Sequence, residues 1–418
     1  MNFIDLFAGG GGLSEGFIRA GFKAIAHVEM DEAACYTLKT RIASRYLKRH
    51  HQYEKYVSYL KGDISRKELY KLIPDGELGS VIHRKITPHT IGSIFREIDG
   101  LNGSGRVDVI VGGPPCQSYS RAGLAAVGNG IKDDERNYLY RMYARFLKKY
   151  KPSLFIFENV PHLYSADGGR YYRNMKKYFQ RQGYIVKDKV LDAADFGVLQ
   201  RRKRVIIIGW RKKFDKLGWG YPTFRKRAGD WKLRDVLDDL PVLTRGDSER
   251  WKPYRLSEVN DYLKRHEIRN GLDFVTLNHA RPHMNEDLVI YKRAIKTLRK
   301  GKRMKYSEVP ENQRTQGNIE AFLDRFKVVD QNDSISHTLI AHIAKDGHHY
   351  IHPDVAQLRS ISVREAARIQ SFPDDYFFEG VREGANRTAA FKQIGNAVPP
   401  LMAERIAIRI HRMLSNAG

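Results

Sequence analysis

The chain predicts an α/β fold: a doubly wound, mostly parallel sheet joined to a second, smaller domain. Three observations carry this. Short apolar runs alternate with helical patterns through the first half of the sequence. The runs are β-branched or aromatic and scarcely alternate with polar residues, as in strands buried on both faces. At 418 residues the chain exceeds a single core, so two domains of roughly 100–200 residues each are expected.

The strand runs are residues 3–6, 24–29, 107–111, 154–157 and 204–210. Helical spacing occupies 137–150 and 171–182, the latter stopped by Gly183. Residues 65–106 carry no readable rhythm. From 214 to 354 the sequence is basic, Trp- and His-containing and irregular, which marks the second domain. Helical spacing returns at 401–414. The expected division is a large domain of residues 1–214 plus 386–418 and a small domain of residues 215–385.

Composition narrows the class. Hydrophobic residues are 42% and aromatic residues 11%, too rich for a disordered chain. Two cysteines exclude a disulfide framework and a cysteine-based zinc site, and imply a reduced, cytoplasmic setting. No window approaches the ~20 apolar residues of a membrane span, and the opening "MNFIDLFAGGGG" lacks the basic start of a signal peptide. The net charge is +25, from 73 Lys and Arg against 48 Asp and Glu. Residues 201–232 hold twelve basic residues, and residues 292–305 hold eight with no acidic one. A polyanionic partner, nucleic acid, is the expectation.

The chemistry-bearing motifs fall at strand ends. "FIDLFAGGGGLSEGF" reads as strand, glycine turn and helix start. Glu29 ends the next strand 20 residues after Gly9, a spacing that suits a carboxylate on ribose hydroxyls. The GxGxxG pattern does not fit, because Ser14 or Glu15 stands where the third glycine should be. A nucleoside-bearing cofactor other than a nicotinamide dinucleotide follows. "KGDIS" offers Asp63 to an adenine amino group, or as a helix N-cap.

"VIVGGPPCQSYSRAG" sets Cys116 on a stiff Pro-Pro turn at the end of a strand. Cysteine is usually a small core filler, and Cys35, on a helical pattern, reads as one. A rigid turn that fixes one side chain's direction instead suits a nucleophile. The segment after it, with Gly123, Gly128 and Gly130, has the composition of a lid. "LFIFENVPHL" ends a strand with Glu158 and Asn159, a carboxylate placed to act as an acid. "GVLQRRKRVIIIGW" opens another strand with Gln200, Arg202 and Arg204 on one face and Arg201 and Lys203 on the other.

Together these residues carry a resemblance. "DLFAGGGGLSEGF", "GGPPCQSYS", "ENV", "QRRKR", "SVREAARIQSFPDDY" and "QIGNAVPP", in this order, resemble the DNA cytosine-C5 methyltransferases of prokaryotic modification systems. The resemblance implies a Rossmann-like methyltransferase fold and methyl transfer from S-adenosylmethionine to carbon 5 of a flipped-out cytosine. It makes Cys116 the nucleophile at carbon 6 and Glu158 the partner of N3 and the exocyclic amino group. Arg202 would stand on the O2 side, with Asn159, Gln200 and Arg204 completing the catalytic set.

The resemblance puts Phe7, Gly9, Gly10, Gly12 and Leu13 along the methionine and ribose of the cofactor, with Pro114 nearby. Glu29 takes the ribose, Met30 packs on adenine, Asp63 and Ile64 contact adenine, and Asn396 and Ala397 close the pocket. Gln117, Ser118, Ser120, Arg121 and Thr338 would touch DNA. Residues 276–345 would read the target sequence.

The partners implied are double-stranded DNA and a cognate restriction enzyme, with the chain a monomer at the nucleoid and no metal or membrane involved. His342, His348, His349 and His352 are read not as a metal site but as a DNA-facing hairpin that turns at Asp346-Gly347. Two rival readings are an RNA cytosine methyltransferase of the same fold and an inactive DNA-binding relative.

Overall fold

The computed structural model describes residues 1–115, 139–226, 229–384 and 386–416. The strands β1 (Asn2–Leu6), β2 (Lys23–Glu29), β3 (Val81–His83), β4 (Val109–Gly112), β5 (Leu154–Asn159), β6 (Tyr184–Asp192) and β7 (Lys203–Arg211) form one sheet in the order β3-β2-β1-β4-β5-β7-β6. Pairing is parallel from β3 through β5, and β7 runs antiparallel to both β5 and β6. The reversal matters for function. It brings the start of β7 to the edge where the parallel strands end, with Asn159 opposite Val205. Ligands of open α/β sheets bind along that edge.

Successive residues of each strand enter different cores, which is why the runs are apolar throughout. Ile4, Leu6, Val28, Ile110, Phe155, Phe157, Val205 and Ile207 face one side. There they meet helices α5 (Ile91–Asn102), α6 (Leu139–Tyr150) and α7 (Arg170–Arg181). Phe3, Val109, Val111, Ile156, Ile206 and Ile208 face the other. That side is covered by α1 (Gly12–Arg19), through Phe17, and by α11 (Pro400–Ser415), through Met402, Ile406 and Ile410. Gly16 lets α1 and α11 touch, since a Cβ there would lie 2.3 Å from the Glu404 nitrogen. The chain's last helix thereby closes the domain that its first strand begins.

A third core joins distant parts of the sequence. Helices α2 (Glu32–Arg49) and α3 (Tyr53–Lys61) contribute Leu47, Tyr56 and Tyr59. They pack with Leu237, Tyr262 and Phe274, with α9 (Val363–Ile369) and with α10 (Arg387–Asn396). The packing does not break at residue 214, because Trp219, Tyr221 and Phe224 still lie against the sheet. A separate small core surrounds α8 (Asn285–Arg299), with Ile290, Tyr291, Tyr306, Phe326 and Ile351. Apart from Ile351, the residues named lie within the stretch expected to read DNA.

Residues 65–106 contain α4 (Arg66–Lys71), β3 and α5. β3 has only three residues, too few for a pattern to show. β6 also escaped the sequence reading, because its polar face (Lys187, Lys189) interrupts the apolar run.

The expected hairpin at Asp346-Gly347 is absent. Ala341–Ala344 is a 3-10 turn, and Ile351 bridges Val328 and Ser360 instead. His348 and His352 are buried: His348 stacks on Phe326 at 4.6 Å, and its Nδ1 lies 2.9 Å from the Tyr291 hydroxyl. Among the described residues no three His, Cys, Asp or Glu side chains are arranged to hold a metal ion, and no helix is long and apolar enough to cross a membrane.

Candidate active site

The site is built on the carboxyl edge of the sheet. β1 ends at Leu6, and the chain then turns through Phe7 (φ 59°) and Gly9 (φ 53°) before α1 begins. A left-handed Phe is an uncommon, strained conformer of the kind found at ligand clamps. The glycines of the turn divide their tasks. A Cβ on Gly9 would meet nothing within 4 Å, so its face is open. A Cβ on Gly12 would strike the Val398 carbonyl at 2.2 Å and approach Ala397, and one on Gly10 would touch Gln393. Gly10 and Gly12 therefore let the segment around Asn396 and Ala397 press against the turn. Leu13 directs its side chain into the core.

Glu29 fixes the turn from the side. Its carboxylate accepts backbone N–H groups from Gly9 (2.7 Å), Met30 (2.7 Å) and Asp31 (2.8 Å). Burial pushes its acidity weaker than an ordinary glutamate's, against the pull of those three donors. A carboxylate oxygen takes two donors, so acceptor capacity remains for a hydroxyl. Met30 beside it is 56% exposed, an apolar platform at the sheet edge. The open face at Gly9, this acceptor and this platform fit a nucleoside-bearing cofactor.

Asp63 and Ile64 are not part of this edge. They lie in the turn between α3 and α4, where Ile64 packs against the third core. The strand beside β2 is β3, and its end holds the place: His83 Nε2 lies 3.1 Å from the Met30 carbonyl, and the Arg84 N–H donates to the Glu29 carbonyl at 2.8 Å. The triplet Gly-Asp-Ile misled because it follows a helix rather than a strand.

At the middle of the edge β4 leads into Gly113, Pro114 and Pro115. Gly112 is required because a Cβ would lie 2.3 Å from the Leu6 carbonyl, and a Cβ on Gly113 would meet Glu158 Oε2 at 2.4 Å and displace that carboxylate. The Glu158 carboxylate thus rests on the turn three residues before Cys116. Cys116 itself, with Gln117, Ser118, Ser120 and Arg121, lies outside the described residues. Asn159 binds Pro114 O through Nδ2 at 3.5 Å, while its Oδ1 takes the Val160 N–H at 2.9 Å. Arg204, arriving on the reversed β7, places Nε 2.8 Å from Glu158 Oε1, with both side chains only 12–13% exposed.

Gln200 and Arg202 share a face with Arg204, as expected, but are engaged elsewhere. Arg202 donates to the carbonyls of Leu339 (2.7 Å) and Gly395 (2.9 Å). Gln200 donates to Gln370 at 2.9 Å and accepts the Leu339 N–H at 2.9 Å, and Gln370 donates to the Ile394 carbonyl at 2.7 Å. Thr338 donates its hydroxyl to the Arg201 carbonyl at 2.6 Å. Gln200, Arg202 and Gln370 form a buried seam that binds the 338–339 segment and the end of α10 to the sheet edge. Sequence reading missed Gln370, at the C-terminal cap of α9, and Gln393, on α10.

The family of this sheet and edge is decided by comparison. The model of the C-5 cytosine-specific DNA methylases matches residues 1–73 and 75–412. The chain belongs to that family. The methylase is 42% identical to the type II methyltransferase M.Bpa9945I of Bacillus paralicheniformis, covering 97% of this chain and 98% of that one. It is 31% identical to M1.HphI of Haemophilus parahaemolyticus, covering 100% and 88%. Among solved structures it resembles a protein described as a DNA modification methyltransferase encoded within an E. coli prophage (TM-score 0.66, 22% identity, 99% of each chain). It also resembles the methyltransferase EhMeth of Entamoeba histolytica (TM-score 0.57, 15% identity, 100% and 99%). The methylase is an enzyme of DNA cytosine methylation whose relatives come from restriction–modification systems.

Proposed function

We propose that the protein transfers a methyl group from S-adenosylmethionine to carbon 5 of a cytosine turned out of a specific duplex DNA sequence, through a covalent bond from Cys116. The observation that carries this reading is the Glu158–Arg204 pair, seated on Gly113 at the turn that leads into Cys116.

Carbon 5 of cytosine is a poor nucleophile. Addition of the Cys116 thiolate to carbon 6 moves electron density onto carbon 5. Glu158 favours that addition by supplying a hydrogen bond or proton to N3, and Arg204 orients the carboxyl and faces the O2 side. The role given to Arg202 at O2 thus passes to Arg204, while Arg202 and Gln200 hold the seam. When bound, S-adenosylmethionine supplies the electrophilic methyl. Glu29 takes its ribose, Met30 and the residues after β3 flank its adenine, and Gly9 admits it to the turn. Loss of the carbon-5 proton to a base then lets the Cys116 sulfur leave. A buried base pair exposes neither carbon 6 nor N3, so the cytosine is flipped.

Residues 276–345 read the neighbouring bases, and the basic run 292–305 holds phosphates. The restriction–modification relatives support a role as the protecting member of such a pair in the bacterial cytoplasm.

The test is a duplex carrying 5-fluorocytosine at the target site. Fluorine cannot leave as the proton does, so wild type with S-adenosylmethionine should give a covalent complex on a denaturing gel. Absence of that band on a site the enzyme methylates would overturn the covalent route.

A further inference from the structure

Beyond the residues that touch base or cofactor, the turn after α9 makes a joint with three arms. Asp374 faces the segment that carries Tyr254: it binds the buried Arg368 through Oδ2 at 2.6 Å and accepts the Tyr254 hydroxyl at 2.7 Å. Arg368 also holds Asp239. Asp375 faces the other way, onto Arg41 of α2 at 2.9 Å and the Tyr53 hydroxyl at 3.1 Å. Arg41 continues to Glu15 of α1 at 2.8 Å, where Arg45 joins it at 2.8 Å. Burial works against the Glu15 charge, but the two arginines outweigh it and hold the carboxyl well below the usual range.

The third arm is Tyr376. Its hydroxyl donates to the Gly10 carbonyl at 2.7 Å, and a Cβ on Gly11 would lie 2.5 Å from that oxygen. The Arg41 guanidinium lies over the ring at 5.0 Å. Gly10 follows Gly9, whose open face and N–H bond to Glu29 form the cofactor cradle. A ring 1% exposed and gripped on one side by Arg41 has no freedom to release the Gly10 peptide.

We propose that Tyr376 is a positioning residue for the cofactor, acting through the Gly10 peptide, and that the Asp374–Asp375–Tyr376 turn ties the cofactor turn to the segment around Asp239 and Tyr254. This rests on the S-adenosylmethionine reading above. The two sides of the turn can be separated by removing one hydroxyl at a time. Tyr376→Phe should weaken S-adenosylhomocysteine binding about 3- to 10-fold, the loss expected for one buried hydrogen bond. Its KM for S-adenosylmethionine should rise by more than its kcat falls. Tyr254→Phe removes the hydroxyl on the other arm and should leave S-adenosylhomocysteine affinity within about two-fold of wild type.

Titration calorimetry of the three full-length proteins reads the result directly. Unchanged affinity in Tyr376→Phe overturns the proposal, as does an equal loss in both variants, which is general loosening. Wild type that binds no S-adenosylhomocysteine overturns the cofactor reading itself, an outcome distinct from wild-type binding that Tyr376→Phe leaves intact.

Discussion

Glu158 and Arg204 reach each other from strands that run in opposite directions, and the proposed chemistry depends on that meeting. Glu158→Gln keeps the shape but cannot deliver a proton to N3. Turnover should fall about 10²–10⁴-fold, the usual range for a lost general acid, with S-adenosylhomocysteine affinity unchanged by calorimetry. A large loss of cofactor affinity with normal turnover would assign Glu158 to the wrong ligand. Cys116→Ser should abolish methyl transfer while gel-shift binding of the target duplex survives, because a neutral hydroxyl is a far weaker attacker than a thiolate. Near wild-type turnover in that variant would remove Cys116 from the reaction. At this scale the sequence was readable where a polar residue ends an apolar strand, as at Glu29 and Glu158. It misled at Asp63, where three residues matched a pattern but the preceding element is a helix. Nor could spacing alone tell Arg202 from Arg204. Both lie on the same face, and only the position of Leu339 and Gly395 decides which of them is taken up by the seam.

At the scale of elements, β1, β2, β4, β5 and β7 were legible because strands buried on both faces must be apolar throughout. The recognition segment was not, because its small core is assembled from single residues of irregular chain around α8. Its histidines illustrate the point: a polar cluster that looks solvent-facing in sequence is buried by ring stacking. Burial pushes His283 down to about 3, and His337, His349 and His352 down to about 4. A histidine whose folded value lies below its unfolded one contributes stability above the unfolded value and loses it as pH falls toward the folded one. The melting temperature should therefore drop as pH is lowered from about 6.5 to 5, before Glu15 and Glu365 (the latter held near 2, buried but opposed by Arg359) begin to titrate. His283→Asn should flatten that slope, and a melting temperature constant over this interval would contradict the burial of these rings. The segment's role in reading DNA has its own test, methylation of a randomised duplex library by variants. Substitutions in 292–305 should weaken all sequences alike and flatten the salt dependence by about one unit of slope per lost phosphate contact. At least one polar residue in 312–345 should instead relax a single position, at a cost of about 1–3 kcal/mol. Variants across 276–345 that all keep the wild-type target would place recognition elsewhere.

The whole molecule is held together by contacts between residues far apart in the chain. α11 packs on α1, α10 presses on the glycine turn, and the seam of Gln200, Arg202 and Gln370 locks the 338–339 segment to the sheet edge. The glycine turn, the Glu158–Arg204 edge and the segment at Leu339 are therefore joined through these elements. Such an arrangement suits an enzyme that must present one cytosine to one methyl group while reading the bases around it. A net charge of +25 matches a duplex substrate in sign, and the proposed mechanism sets the cytosine against the Glu158–Arg204 pair. The measurement that bears most directly on this is bisulfite sequencing of DNA and RNA from a bacterial host that expresses the protein, with Cys116→Ser as the control. The account predicts 5-methylcytosine in the DNA at one recurring sequence, and none above background with the variant. Methylation confined to RNA, or DNA methylation that persists in Cys116→Ser, would contradict it.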